Sequence, residues 1–323
     1  METVSGLSNW KLTLRRKADH IEILRAETCD SRAVLPDELF GLPVTVLGDH
    51  ALAPGAKPVD GDSLRITCGR EGDWDNRQLQ ELTLPRHLTD VENYAFYGCR
   101  ALHTLCLHDR ADRWGGYCLM NCRELRNIRL TRVGENHGGA LAFLCGELHE
   151  ELQVRVTETH GEETRLVFPE FVEDYEENVP NHHFDYRIYG GGHPYHHVFR
   201  GKQLDLRVYD GLWTNFLKEA HDPDTAMRLA YTRLRWPTDL SAQAAERYRN
   251  YLKNHAEAVL LWQIAQRDIV GLQLLLTELD VQGELLHSAC EQARCAGNTE
   301  ALALLLERQH RQEPKGFDKE FDL

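Results

Sequence analysis

One spacing constrains this chain more than any other feature. Leu79, Leu102 and Leu125 stand 23 residues apart, and so do Leu82, Leu105 and Ile128, then Leu84, Leu107 and Leu130. Tyr94 and Tyr117 keep the same interval. A fixed period of this length is the mark of a solenoid, in which each repeat buries its apolar edge only by stacking on its neighbours.

Partial copies flank the clear ones. If Val44 is laid on Leu88, then Leu47 falls on Val91, Ala51 on Ala95 and Leu52 on Phe96. An insertion rich in proline and glycine (Pro54 to Asp62), a strand-like SLRITC (Ser63 to Cys68) and a polar loop to Asn76 separate this copy from the next. Cys145 lies 23 residues beyond Cys122, but the leucines of LHEELQVRV (Leu148 to Val156) are spaced one residue too long, and the stack is expected to fray there. Irregularity is also expected at Arg113, Trp114 and Gly115 and at Cys118 and Leu119, where the third copy departs from the pattern. Ahead of the repeats, Trp10 to Glu27 alternates apolar and polar around a charged Lys-Ala-Asp turn. That is the pattern of a hairpin suited to cap a solenoid end.

The pattern LxxLxLPxxLTxVxxYAFxxC resembles the leucine-rich repeats of bacterial BspA-like proteins, and FGLPVTVLGDHAL is similar to their entry repeat. The resemblance covers roughly the first half of the chain and implies a curved stack in which each repeat lends one short strand to a shared sheet. In LxxLxL the leucines face inward and the residues between them face solvent. The concave surface so expected presents Glu81, Thr83, Thr104, Cys106, Asn127 and Arg129 as partner-binding candidates. Cys99, Cys122 and Cys145 share a register, yet no fourth ligand completes a zinc set, so they read as small buried apolar side chains.

Charge narrows the possible partners. Lys plus Arg total 37 against 51 Asp plus Glu, a net charge of -14, which repels phosphate backbones and anionic lipid. No apolar run approaches the length of a membrane span, and the start of the chain lacks a secretory pattern. A cytoplasmic protein with reduced thiols is the expectation; an exported, adhesin-like protein is the less favoured alternative that the resemblance brings.

From about Thr164 the composition becomes acidic and then rich in His, Tyr and Gly. Arg165 to Phe168, Asp185 to Tyr189 and Gln203 to Tyr209 alternate like strands, and Gly190, Gly191 and Gly192 suggest a flexible turn. Five histidines fall between His182 and His197, and His193, His196 and His197 are the candidates for a metal or small-ligand site. Their spacing matches no established ligand motif, so no metal and no cofactor is expected.

Beyond Tyr209 the period changes from two to 3.6. The stretch Ala258 to Glu278 is echoed by Leu286 to Arg308 with Asp268 on Asn298, a spacing of thirty residues. A helix, a short polar corner and a helix ending in three leucines resembles ankyrin-type hairpins; an antiparallel bundle fits the same pattern.

The fold class that results is α+β: a short leucine-rich-repeat solenoid with its hairpin cap (1–163), an acidic and His-rich β segment (164–211), an all-helical domain (212–310) and a disordered tail (311–323). No catalytic constellation is visible: there is no nucleophile elbow, dinucleotide fingerprint or phosphate loop. A non-catalytic scaffold that binds another protein is the reading these features favour.

Overall fold

The computed structural model describes residues 8–59, 61–70, 72–132, 138–178 and 183–312, the side chains of 177, 178, 183, 184 and 312 excepted. The chain divides into two compact units, Met1–Thr225 and Ala226–Leu323.

The first unit begins with strands β1 (Trp10–Arg16) and β2 (Ile21–Glu27), the expected hairpin, followed by β3 (Arg32–Val34), β4 (Glu38–Leu39), β5 (Leu42–Leu47) and β6 (Leu64–Cys68). The repeats supply β7 (Glu81–Thr83), β8 (Asp90–Val91), β9 (Thr104–His108), β10 (Arg113–Trp114) and β11 (Asn127–Thr131). After helix α1 (Ala140–Glu147) come β12 (Leu152–Thr157) and β13 (Glu163–Phe168).

Two sheets face each other. The leucine sheet runs β3-β7-β9-β11-β12 with every pair parallel, and β13 closes it antiparallel to β12. Leu82 pairs with Leu105 and Leu105 with Ile128, and Leu107 pairs with Leu130, so the 23-residue spacing is the sheet register itself. The second sheet runs β10-β8-β5-β2-β1-β6, and Leu47 pairs with Val91 as the alignment of the partial copy requires. Leu12, Leu14, Ile23, Val44 and Leu47 from this sheet and the repeat leucines from the other are all buried. Each such side chain stabilises the fold by about 1.5–3 kcal/mol relative to exposure. Leucine recurs because every turn must fill the same slot.

The hairpin lies at the end of the second sheet where the repeats begin. It lengthens that sheet, with β2 parallel to β5 and β6 antiparallel to β1. Asn76, in the polar loop, is buried and donates to the carbonyls of Ala26 and Leu52 at 2.8 Å each while accepting from the Thr28 amide at 2.9 Å.

The third copy is regular, against expectation. Strand β10 pairs with β8 in register, Trp114 beside Val91, and Tyr117 repeats both the position and the left-handed backbone of Tyr94. Gly115 makes this possible, because a Cβ there would lie 2.3 Å from the Asn93 amide nitrogen. The departure comes one turn later, where helix α1 stands at the positions that hold the Tyr117–Cys122 turn in the third copy. Asp109, almost wholly buried, accepts from the amides of Gly139 and Ala140 at 3.1 Å and so holds the start of that helix. Phe143 of α1 stacks on Trp114 at 4.9 Å. The extra residues fall after the helix, between Leu148 and Leu152, and β12 rejoins the sheet in register, Val154 on Ile128 and Val156 on Leu130. The stack therefore does not fray at Leu148, and its sheet runs on to Phe168, past the boundary at 163 read from the sequence.

The register cysteines are core residues. Cys99 and Cys122 lie within hydrogen-bonding distance of the carbonyls of Leu52 and Phe96, each in the preceding turn, at 3.4 and 3.2 Å. Burial pushes the Cys99 thiol up to about 12 and raises those of Cys122 and Cys145 as well. All nine cysteines are free thiols.

A ribbon of β14 (Val172–Asn178) and β15 (His183–Tyr189) follows, then α2 (His193–His196), a short pair β16 (Phe199–Arg200) and β17 (Gln203–Leu204), and helices α3 (Leu206–Gly211) and α4 (Trp213–Phe216). Residues 203–209, expected as one strand, divide between β17 and α3, because Asp205 caps a helix by accepting from the amides of Arg207 and Val208. Gly191 and Gly192 do not form a flexible turn. A Cβ on Gly192 would lie 2.1 Å from the Pro169 carbonyl oxygen and one on Gly191 2.6 Å from the Phe216 ring, so both are sites of close packing.

Six helices make up the rest: α5 (Pro223–Arg235), α6 (Ala242–Asn254), α7 (Ala256–Gln266), α8 (Ile269–Glu278), α9 (Gly283–Cys295) and α10 (Thr299–Gln312). Helices α7 and α8 pack together, as do α9 and α10, and α7 packs on α9. Asp268 caps α8 through the Gly271 amide at 3.0 Å and pairs with Arg235 at the end of α5. Asn298 repeats this thirty residues on: it accepts from the Ala301 amide and donates to the Ile264 carbonyl near the end of α7. The two corners that the sequence aligns thus have the same job. Arg311 and Gln312 belong to α10, and the remainder of the expected tail lies outside the described residues. Among the described residues no helix is long and apolar enough to cross a membrane.

Candidate functional site

The open face of the leucine sheet is built by alternation. Because leucines take every second position inward, the residues between them form rows that cross the strands. The register sets Val34, Thr83, Cys106, Arg129, Arg155 and Arg165 in one row, and Arg32, Glu81, Thr104, Asn127, Gln153 and Val167 in the next.

Five of the six expected face residues reach the surface. Glu81 and Arg129, two strands apart, form an ion pair at 2.8 Å, with the Cys106 sulfur 3.9 Å from each of them. Burial beneath this pair raises the Cys106 thiol. Thr83 lies half-buried beside Cys106, and the Asn127 side chain reaches 3.3 Å to the His103 carbonyl. Thr104 is the exception, with only 2% of its surface exposed. Its short side chain sits low between neighbouring strands and its hydroxyl is 2.8 Å from the His103 ring nitrogen.

The row continues beyond the expected residues. Arg155 and Arg165 follow Arg129 on β12 and β13, and Glu163 pairs with both of them. Three guanidinium groups and two carboxylates therefore cross the sheet as one ionic band on a chain that is acidic overall. The sequence carried a signal for Arg155, the alternation of LQVRV, but not for Arg165, whose strand runs the other way.

Residues 73–152 match the BspA type leucine rich repeat region (6 copies). This stretch is a BspA-type leucine-rich repeat stack. A solved structure, that of the T. pallidum leucine rich repeat protein, is similar at 18% identity over 40% of this chain and 72% of that one, with a TM-score of 0.22, too distant to bear on the details of this fold. No curated protein matches the sequence. The BspA-type stack thus accounts for strands β7 to β11 and the turns between them, while the second sheet's β1, β2 and β6 and the helical unit lie outside the matched residues.

The histidines do not converge. His196 is buried, and its two ring nitrogens lie 2.8 Å from the carbonyl oxygens of Cys145 and Pro169. Phe168 and Phe171 pack edge-on against its ring. Burial pushes its pKa down to about 4, against the pull of the two carbonyls. The rings of His193 and His197 lie 4.3 Å apart, tilted by 34°. His182 and the side chain of His183 lie outside the described residues. Among the described residues no group of three or more His, Cys, Asp or Glu is arranged to hold a metal ion. His196 is a structural tie that joins α1, the end of β13 and α2.

Proposed function

We propose that this chain is a non-catalytic scaffold that binds a protein partner on the open face of its leucine-rich-repeat sheet. The observation that carries this reading is the ionic band of Glu81, Arg129, Arg155, Arg165 and Glu163, which spans the five adjacent strands β7, β9, β11, β12 and β13. Pairs that are exposed on a sheet contribute little to stability, about 0–1 kcal/mol each, so their alignment is better accounted for by recognition than by folding. Charged groups set in register select a partner by complementary charge and suppress wrong ones. The helical hairpins, ankyrin-like in their corner residues and thirty-residue spacing, would offer a second surface of the same kind. The reading places the protein in the cytoplasm and assigns it no cofactor.

The test is proximity labelling in the native cell with the wild-type chain and with Arg129→Glu/Arg155→Glu. Loss of specific labelled proteins with an unchanged melting temperature supports the reading. Identical labelling by the two chains would sink it.

A further inference from the structure

The ribbon β14–β15 is the least self-sufficient part of the described chain. Two strands alone are marginal in water, and apolar surface on such a ribbon normally packs on something. Here neither strand pairs with a third among the described residues, and Val172, Tyr175, Tyr186, Ile188 and Tyr189 are between 38% and 66% exposed. Both faces of the ribbon are open, since these residues alternate between them.

One face has a graded chemistry. At the root of the ribbon a cavity of about 310 Å³ opens between Phe171, Phe216 and Ala220, and Val172 and Tyr189 form its rim. The cross-strand pairs beyond them on the same face are Asp174 with Arg187, then Glu176 with Asp185. Like charges directly opposite one another destabilise a sheet. Arg187 reaches Asp185 only at 3.8 Å, and the outer half of the face carries the carboxylate pair of Glu176 and Asp185.

We propose that this ribbon is a docking arm for an extended, lysine- or arginine-rich segment of another protein, whose apolar anchor enters the root cavity while its cations lie between Glu176 and Asp185. The spacing follows from strand geometry. Val172 and Glu176 are four residues apart, about 13 Å at 3.3 Å per residue, so the cations stand about four residues from the anchor in an extended partner. Charge argues for a basic partner and against a second copy, whose arm would bring the same carboxylates into contact. This surface is distinct from the ionic band on the leucine sheet and does not depend on it.

The probe is a fluorescent synthetic peptide with one phenylalanine and a pair of lysines centred four residues after it, titrated into the full-length chain and followed by anisotropy. Its controls carry glutamates for the lysines, or serine for the phenylalanine. The lysine peptide is expected to bind at least tenfold more tightly than either control, and to weaken with salt. Glu176→Lys/Asp185→Lys and, separately, Val172→Ser/Tyr189→Ser should each weaken it at least tenfold, whereas Arg129→Glu leaves it unchanged. Circular dichroism and melting of each variant separate loss of the arm from loss of the fold, and a Glu176→Gln/Asp185→Gln pair repeats the charge test with the least perturbation. Equal binding of the lysine and glutamate peptides, or binding indifferent to both the lysine and the glutamine pair, overturns the proposal. So does a concentration-dependent dimer, seen by sedimentation, that the same substitutions disperse.

Discussion

Tyr94 and Tyr117 stack with ring centroids 5.5 Å apart and planes 18° from parallel, each projecting from a residue whose φ is +56°. His50, one turn earlier and at φ +55°, stacks on the other face of Tyr94 at 4.9 Å. Left-handed backbone at a bulky residue costs on the order of 1–3 kcal/mol, and the ring ladder offsets that cost in three successive turns. Tyr94 is covered on both faces and Tyr117 on one. Tyr94→Ala should therefore destabilise the first unit more than Tyr117→Ala, with a coupling of about 0.5–1.5 kcal/mol in the double mutant. Tyr117→Gly should be more stable than Tyr117→Ala, because glycine accepts the left-handed backbone without strain. Urea denaturation of the four variants checks both orderings, and equal stability of the alanine and glycine variants would contradict the second.

Asn76 ties three backbone groups from separate parts of the chain. Asn76→Leu matches its size roughly and leaves the Ala26 and Leu52 carbonyls and the Thr28 amide buried without that partner. Each such group costs about 1–3 kcal/mol, so a loss of several kcal/mol is expected from one substitution in a loop. Asn76→Asp should also be damaging, since a carboxylate cannot donate to the two carbonyls. A loss below about 1 kcal/mol in chemical denaturation would show that the loop relaxes around the site.

His196 gives the first unit an acid limit. Its pKa in the fold is about 4 against 6.5 for the free side chain, so the unfolded chain takes up the proton first as pH falls. Stability is full above about pH 6.5, declines between there and about pH 4, and loses on the order of 3 kcal/mol from this group alone. In His196→Phe the slope of melting temperature against pH should flatten across that window, whatever the variant's stability at neutral pH. An unchanged slope would assign the acid sensitivity to carboxylates instead.

In the helical unit, Asp268 performs two tasks that substitution can separate. Asp268→Asn keeps an oxygen for the Gly271 amide but weakens the link to Arg235, whereas Asp268→Ala loses both. The expected order of stability is wild type, then Asn, then Ala, with the cap worth about 0.5–2 kcal/mol. Gly271→Ala is the companion test. Alanine favours a helix by about 1 kcal/mol over glycine, yet here its Cβ would lie 2.0 Å from the Tyr231 hydroxyl and 2.2 Å from the Gln263 amide nitrogen, so the variant should melt lower.

What the sequence made legible is what repeats. Leu82, Leu105 and Ile128 announce a register because the same slot must be filled in each turn, and Asp268 with Asn298 announces a corner for the same reason. Asp109, Asn76 and His196 are just as deeply built into the fold, yet each acts once, on backbone groups more than twenty residues away, and leaves no periodic trace. Arg165 was hidden differently: it joins the row of Arg129 only because β13 folds back beside β12. The third copy looked irregular because Trp114 and Gly115 replace the usual residues together, and their effects cancel, the small residue making way for the Asn93 backbone. The histidine cluster shows the opposite case, since nearness in sequence places His193 and His196 on one short helix and His197 just after it, and their roles divide.

The reversal of direction at β13 has a consequence for how such a chain can change in length. A parallel stack accepts another 23-residue turn in its own register only on an edge whose strand runs the same way, and β13 presents the opposite polarity. Whole turns can therefore be gained or lost only in the interior, between β7 and β11, where each neighbour offers the same slot, the same ring ladder and the same sulfur-to-carbonyl link. A duplicated turn inserted there would carry one more rung of every one of these and leave both closing structures untouched, whereas the same residues appended after Phe168 would meet an edge strand of the wrong direction for the parallel register.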